Sequence, residues 1–298
     1  MRRLELLSQE VRQTTDTEDI ESINTYELMR YFRDAQRTIQ KIIFTVNPDA
    51  EMFQREQMYT PSSTDNRYNL PSDIYANSAV TSLLSVDSTG RVLYTIPKLS
   101  FREVRVKIGY ALKGNQFILT NPNQYRRVLM TYVYKLATPS YRLGQVSAVN
   151  TATGLVTVSG STLIDDNTFT EYYDRYSIVD SDGANLLDAN GDRAAINLKL
   201  TNYAGTSFTF QGDISAVSVG DWIVAGSDAT THMELPDECE PFLLAHVGRR
   251  IAAKLSSTDV QLDSLLTSEE RADLEDLFAN NVKDIFYPVS SDGYYLEY

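Results

Sequence analysis

Apolar residues in the first fifty positions keep a helical beat. From Thr25, Leu28, Phe32, Ala35, Ile39, Ile42 and Val46 step by four and three, which sets them on one face of an α-helix. A stop is predicted near Asn47, because Pro48 disfavours helical backbone in the residue before it. Upstream, LELLSQEVRQ predicts a shorter helix, joined through the polar segment TTDTEDIES. Downstream, MYTPSSTDNRYNLPSD is rich in Ser and Pro and reads as a connecting loop.

The beat then changes to that of strands. SVDSTGRVLY and AVNTATGLVTV share one arrangement, with Asp87 or Asn150 a few residues ahead of Gly90 or Gly154. Glycine there supplies the positive φ that closes a short hairpin. A third hairpin is predicted at Lys113, Gly114 and Asn115. In YRRVLMTYVYK both alternating faces are largely apolar, which predicts a strand covered on both sides. From Pro139 to Glu234 the chain becomes a series of short β-type runs between Gly-, Asp-, Thr- and Ser-rich turns, with a single lysine. It reads as a small antiparallel β-barrel or sandwich inserted into a larger domain.

Helical spacing resumes in LPDECEPFLLAHVGRRIAAKL, where Leu244, Val247, Gly248, Ile251 and Leu255 recur behind an acidic first turn of Asp237, Glu238 and Glu240. In TSEERADLEDLFANNV, Thr267 and Glu270 form a capping box ahead of Leu274, Leu277 and Phe278. The predicted class is α+β: terminal amphipathic helices packed as a helical bundle with β-hairpins, plus the inserted β domain. Residues 1–138 and 235–285 would form the core, 139–234 the insertion, and 286–298 an extended aromatic tail.

Composition narrows the function. The 298 residues are 42% hydrophobic and 22% charged, as in globular chains. No run approaches the roughly 18 apolar residues of a membrane span, and MRRLELLSQEVRQ lacks the apolar core of a signal peptide, so an intracellular product with no membrane association is expected. One cysteine and two histidines leave no internal disulfide and no cysteine-based zinc site. Cys239 stands in a helix first turn, a place that favours thiolate, but no histidine is placed by sequence to activate it. His246 lies off the centre of the predicted apolar face, which suggests a surface or interface histidine. Asp180–Asp192, DSDGANLLDANGD, has the density of a calcium loop, yet Gly183 breaks the order and no Glu stands at the twelfth place, so hairpin turns explain it. Asp165 and Asp166 are a carboxylate pair expected by chance in loops this acidic. No catalytic residue, cofactor or metal is expected.

Charge is the more informative quantity. The net charge is −13, but residues 61–138 carry ten basic and four acidic groups, a sum of +6, while 1–60, 139–234 and 235–298 sum to −3, −8 and −8. Such segregation suits complementary protein surfaces better than affinity for DNA.

The order of parts resembles the head-to-tail connector (adaptor) proteins of tailed bacteriophages. The resemblance is carried by YELMRYFRDAQRTIQKII, by YNLPSDIY with Leu70, Pro71 and Asp73, by FILTNPN and VLMTYVYKLA, by MELPDECEPFLLAHVGRRIAAKL with Leu235, Pro236 and Glu238, and by LTSEERADLEDLF. It spans residues 20–138 and 232–280, and the insertion departs from the smaller members. It implies a structural virion neck protein assembled in the host cytoplasm: a homo-dodecameric ring beneath the portal protein, joined to a downstream tail or nozzle protein. DNA would pass through without specific binding, and acidic surface along its path would let it slide. Interface expectations follow: Arg102, Arg105 and Lys107 against acidic surface, and Phe286, Tyr287, Tyr294, Tyr295, Leu296 and Tyr298 as anchors. Two rival readings are another ring or hub protein of the tail, and a virion carbohydrate-binding protein or enzyme resting on Trp222, the many tyrosines and the acidic loops.

Overall fold

The computed structural model describes residues 2–17, 23–48, 50–62, 65–76, 78–100, 102–103, 107–159, 173–188, 193–256 and 265–285, the backbone alone for 280–285. The class is α+β. Among the described residues its α-helices are α1 (Leu4–Thr14), α2 (Thr25–Val46), α3 (Glu240–Leu255) and α4 (Ser268–Ile285). In α2 the Asn24 side chain accepts the Glu27 N–H at 2.8 Å, Leu28, Phe32, Ala35 and Ile39 are buried, and the helix ends before Pro48 as its spacing predicts. At α4 the capping box is present: Glu270 N–H donates to Thr267 Oγ1 at 3.1 Å, and Thr267 N–H to Glu270 at 2.9 Å.

Helix α3 corrects its expected face. Leu243, His246, Val247 and Ile251 are the buried residues, while Leu255 is 51% exposed. Cys239, buried in the turn just ahead, starts this stripe, and 239, 243, 246 and 247, 251 is its helical continuation. The face is rotated by one residue, and His246 is internal rather than a surface histidine.

Contacts divide the chain into Met1–Lys41 with Ala137–Leu274, and Ile42–Leu136 with the residues from Glu275 onward. The second unit holds seven named strands: β1 (Gln54–Tyr59), β2 (Arg67–Asn69), β3 (Val80–Val86), β4 (Val92–Thr95), β5 (Tyr110–Lys113), β6 (Gln116–Leu119) and β7 (Arg127–Val133). They form an antiparallel four-stranded sheet in the order β1-β7-β3-β4 and a three-stranded sheet in the order β2-β6-β5. One core joins both sheets, with Leu83, Val128 and Met130 from the first and Phe117 and Leu119 from the second. The strand expected in YRRVLMTYVYK is β7, between β1 and β3: Val128, Met130 and Tyr132 are buried on one face, while on the other Arg127 is exposed and Leu129 and Thr131 are half-buried, so only one face is fully covered. The β3–β4 turn is the predicted one: Asp87 Oδ1 accepts the Thr89 and Arg91 N–H groups at 2.7 and 3.0 Å, and Gly90 has φ +89°.

The first unit holds β8 (Thr138–Pro139), β9 (Arg142–Asn150), β10 (Leu155–Ser159), β11 (Arg175–Val179), β12 (Leu198–Ala204), β13 (Ser207–Gln211), β14 (Trp222–Ala225) and β15 (Ala229–Thr230). Strands β10-β13-β12-β11-β14-β9 pair in that order, and β9 pairs with β10 to close a barrel. Period-two burial in β10 and β13 turns Val156, Val158, Phe208 and Phe210 inward, where the two phenylalanines stack at 5.9 Å and Tyr176 meets Phe210 at 5.8 Å.

The contact division cuts differently from the expected core and insertion. Leu4 N–H donates to Thr231 O at 2.9 Å. From α2, Arg33 donates to the carbonyls of Pro139 at 2.9 Å and Ala225 at 2.7 Å, and Gln36 to that of Ala137 at 2.8 Å. Carbonyls where the chain enters the barrel find donors on helices outside it, so α1, most of α2 and α3 group with the barrel. The entry and exit of 139–234 do lie together, since Ala137 N–H donates to the Glu234 carboxylate.

Candidate interaction surfaces

The residues whose types suggested chemistry serve packing. Cys239 is fully buried, and burial, helped by Glu238, pushes its thiol up to about 12, opposite to the direction expected of a first-turn cysteine. Among the described residues no group of three or more His, Cys, Asp or Glu side chains could hold a metal. The stretch that resembled a calcium loop is a hairpin turn over its described part: Asp180 Oδ1 accepts the N–H groups of Asp182 and Ala184, both at 2.9 Å. Gly183 is required there, with φ +91° and Thr231 Oγ1 only 1.8 Å from where a Cβ would stand. Asp165 and Asp166 lie outside the described residues.

The two Leu-Pro signatures hold chain entries in place. Leu70 is buried, and the Asp73 carboxylate accepts from Arg55 at 2.8 Å and from Tyr132 Oη at 2.9 Å. The Arg55 guanidinium lies 4.0 Å from the Tyr134 ring centroid, so this cation is committed within the fold. Burial, then the neighbouring Asp73 charge, raises the Tyr132 phenol, which therefore stays a donor. Asp73 thereby ties the loop after β2 to β1 and β7, and fixes the sheet on which the exposed surfaces lie. In the second signature Leu235 is buried and Glu238 exposed.

Two of the expected interface residues, Arg102 and Lys107, are among the described residues. Arg102 is exposed; Lys107 is exposed but paired with Glu103 at 2.6 Å within its own segment. Arg105, Phe286, Tyr287, Tyr294, Tyr295, Leu296 and Tyr298 lie outside the described residues. Sequence reasoning missed a more definite surface on the same basic segment. In β4, Val92, Leu93 and Tyr94 are 49, 56 and 45% exposed, and every residue of the strand faces solvent. Exposed Arg91 precedes it and exposed Lys98 follows it. At the other end of the same sheet, β1 exposes Glu56 and Met58, with exposed Glu51 and Met52 just before it. One edge is apolar and cationic, the other apolar and acidic. The only signal in the sequence was the uninterrupted Val-Leu-Tyr after Arg91, which alone does not distinguish an edge strand from a central one.

Compared with known protein families and with curated proteins, the chain matches none.

Proposed function

We propose that this chain is a structural ring component of a tailed-phage neck, joining portal to tail and continuing the DNA channel. The single observation that carries the reading is the apolar strand Val92–Thr95, exposed on both faces and bordered by cations in a chain of net charge −13. Contiguous exposed apolar residues mark association surfaces, and segregated charge selects and orients the partner. The order of parts shared with the adaptors supplies the context. In this reading the terminal helices complete a bundle in the assembled neck, and the aromatic segment from Phe286 to Tyr298 anchors on the portal or an adjacent copy. Of the rivals, the carbohydrate reading weakens at Trp222, because the Arg142 guanidinium already covers its ring at 4.9 Å, where a sugar face would stack. Electron micrographs of the purified chain, alone and with portal rings, test the proposal. Rings, or decoration of the portal, are expected; a chain that stays monomeric and unbound with portal present overturns it. Removal of Asp292–Tyr298 should abolish portal attachment while leaving the thermal midpoint nearly unchanged.

A further inference from the structure

We infer that copies of this chain join edge to edge, β4 of one copy pairing with β1 of the next, so that the four-stranded sheet runs on from copy to copy. The inference rests on the ring reading and names the contact by which the ring would close. Among the described residues the backbone ladder of β4 runs to β3 alone and that of β1 to β7 alone, with the Tyr59 hydroxyl of β1 also donating to the Asn69 carbonyl of β2. Edge strands present outward N–H and C=O groups, and folded chains commonly protect them with Lys, Pro or a cover. Val-Leu-Tyr-Thr has no charge or proline inside the strand. Its one irregularity is a bulge at Leu93, which has no partner on β3 between the pairs Ser85–Tyr94 and Val86–Val92.

Three properties select β1 of a second copy as the occupant. The first is direction: four alternating antiparallel strands leave β1 and β4 running oppositely, so an uninverted second copy brings β1 antiparallel to β4. The second is charge. Arg91 and Lys98 border β4, whereas Glu51 and Glu56 border β1 and Arg55 is held by Asp73. Pairing β4 with β4, or β1 with β1, would oppose like charges, and only the head-to-tail pairing opposes unlike ones. The third is surface type: Met52 and Met58, 40 and 43% exposed, are adaptable side chains that pack on Val92, Leu93 and Tyr94. A contact between two different surfaces of one chain is heterologous, and such contacts generate rings when the rotation closes.

The test mixes two full-length variants, Leu93→Cys and Glu56→Cys, with a short bis-maleimide. The native Cys239 is buried and gives little background. Cross-linked dimers are expected in the mixture at several times the yield of either variant alone. In parallel, Leu93→Lys with Tyr94→Lys should weaken assembly at least tenfold, and Arg91→Glu should weaken it unless Glu56→Lys is added. Rings that form normally while the mixture fails to cross-link would sink the edge pairing and leave the ring reading standing. Dimers of Leu93→Cys by itself would replace it with β4–β4 pairing. A native chain that remains monomeric even with portal rings would remove both.

Discussion

Among the described residues, each of the six barrel strands pairs with two neighbouring strands, whereas in the four-stranded sheet β1 and β4 pair with one each. The barrel turns Tyr176, Phe208 and Phe210 inward and closes the backbone on itself, whereas the sheet carries Val92, Leu93 and Tyr94 in solvent. Closure removes edges, and with them the backbone groups that could recruit another chain. In the proposed reading the difference separates two roles within one polypeptide: the barrel unit supplies internal stability, and the open sheet supplies hydrogen-bonding capacity for association.

The largest way to break this contrast lies at the barrel's base. The Arg193 side chain is 4% exposed and donates to both Asp228 oxygens at 2.7 Å and to Glu234 at 2.7 and 3.0 Å. Glu234 in turn accepts from Asn185 and from the Ala137 N–H, so one guanidinium neutralises the groups that bring the barrel's entry and exit together. Arg193→Ala leaves two carboxylates without their cation and should destabilise the fold by about 3–5 kcal/mol. The urea midpoint measures it. A loss below about 1 kcal/mol would mean the barrel's ends are held by other contacts.

How much of this was legible in the sequence depended on how local the signal was. The helix α2, the capping box at Thr267 and Glu270, and the hairpins at Gly90, Gly114 and Gly154 were readable, because spacing, caps and positive-φ turns act within a few residues. The rotation of α3 was not readable, since Leu243 and Leu244 are equally apolar and only the buried Cys239 decides between them. Nor was the grouping of the helices with the barrel: Arg33 looks like an ordinary polar residue of an amphipathic helix, yet it is buried and satisfies two carbonyls more than a hundred residues away. The expected interface cations Arg102 and Lys107 were chosen from net charge alone, and charge alone does not locate an edge.

A second pair of substitutions sharpens the comparison between the two hairpins. At Gly154, in the barrel, φ is +69° and a Cβ would stand 2.2 Å from the Phe210 carbonyl oxygen. At Gly90, beside β4, φ is +89° but nothing lies within 4 Å. Gly154→Ala should therefore cost roughly 2–3 kcal/mol, from strain and displaced backbone, while Gly90→Ala should cost about 1 kcal/mol from strain alone. Equal thermal shifts in the two variants would show that the barrel hairpin yields as readily as the open one.

A pH experiment adds a control outside both β systems. The Arg249 guanidinium, hydrogen-bonded to Glu270, and the Thr267 amide and hydroxyl hold the Glu270 carboxyl down at about 2. A depressed carboxylate stabilises the fold above its ordinary value near 4.5 and ceases to do so as pH falls through about 2. Because the side chain is 26% exposed, solvent screening limits the gain to about 1 kcal/mol. Glu270→Gln should lower stability by that amount at neutral pH and flatten this part of the acid limb. An acid limb unchanged by the substitution would show that other carboxylates dominate it.

The smallest expected effect bears most directly on the open edge. Leu93 and Tyr94 are 56 and 45% exposed, so replacing both by lysine removes little buried area from the single copy and adds charges that water solvates. The thermal midpoint of the isolated chain should move by no more than the equivalent of about 0.5 kcal/mol. By contrast Phe208→Ala, on the inward face of the closed barrel, removes a fully buried ring and should cost about 3–5 kcal/mol. Should the double lysine variant melt far below the native chain in dilute solution, where copies are apart, β4 would be covered within its own chain, and the open edge would be part of the fold's stability instead of a surface for association.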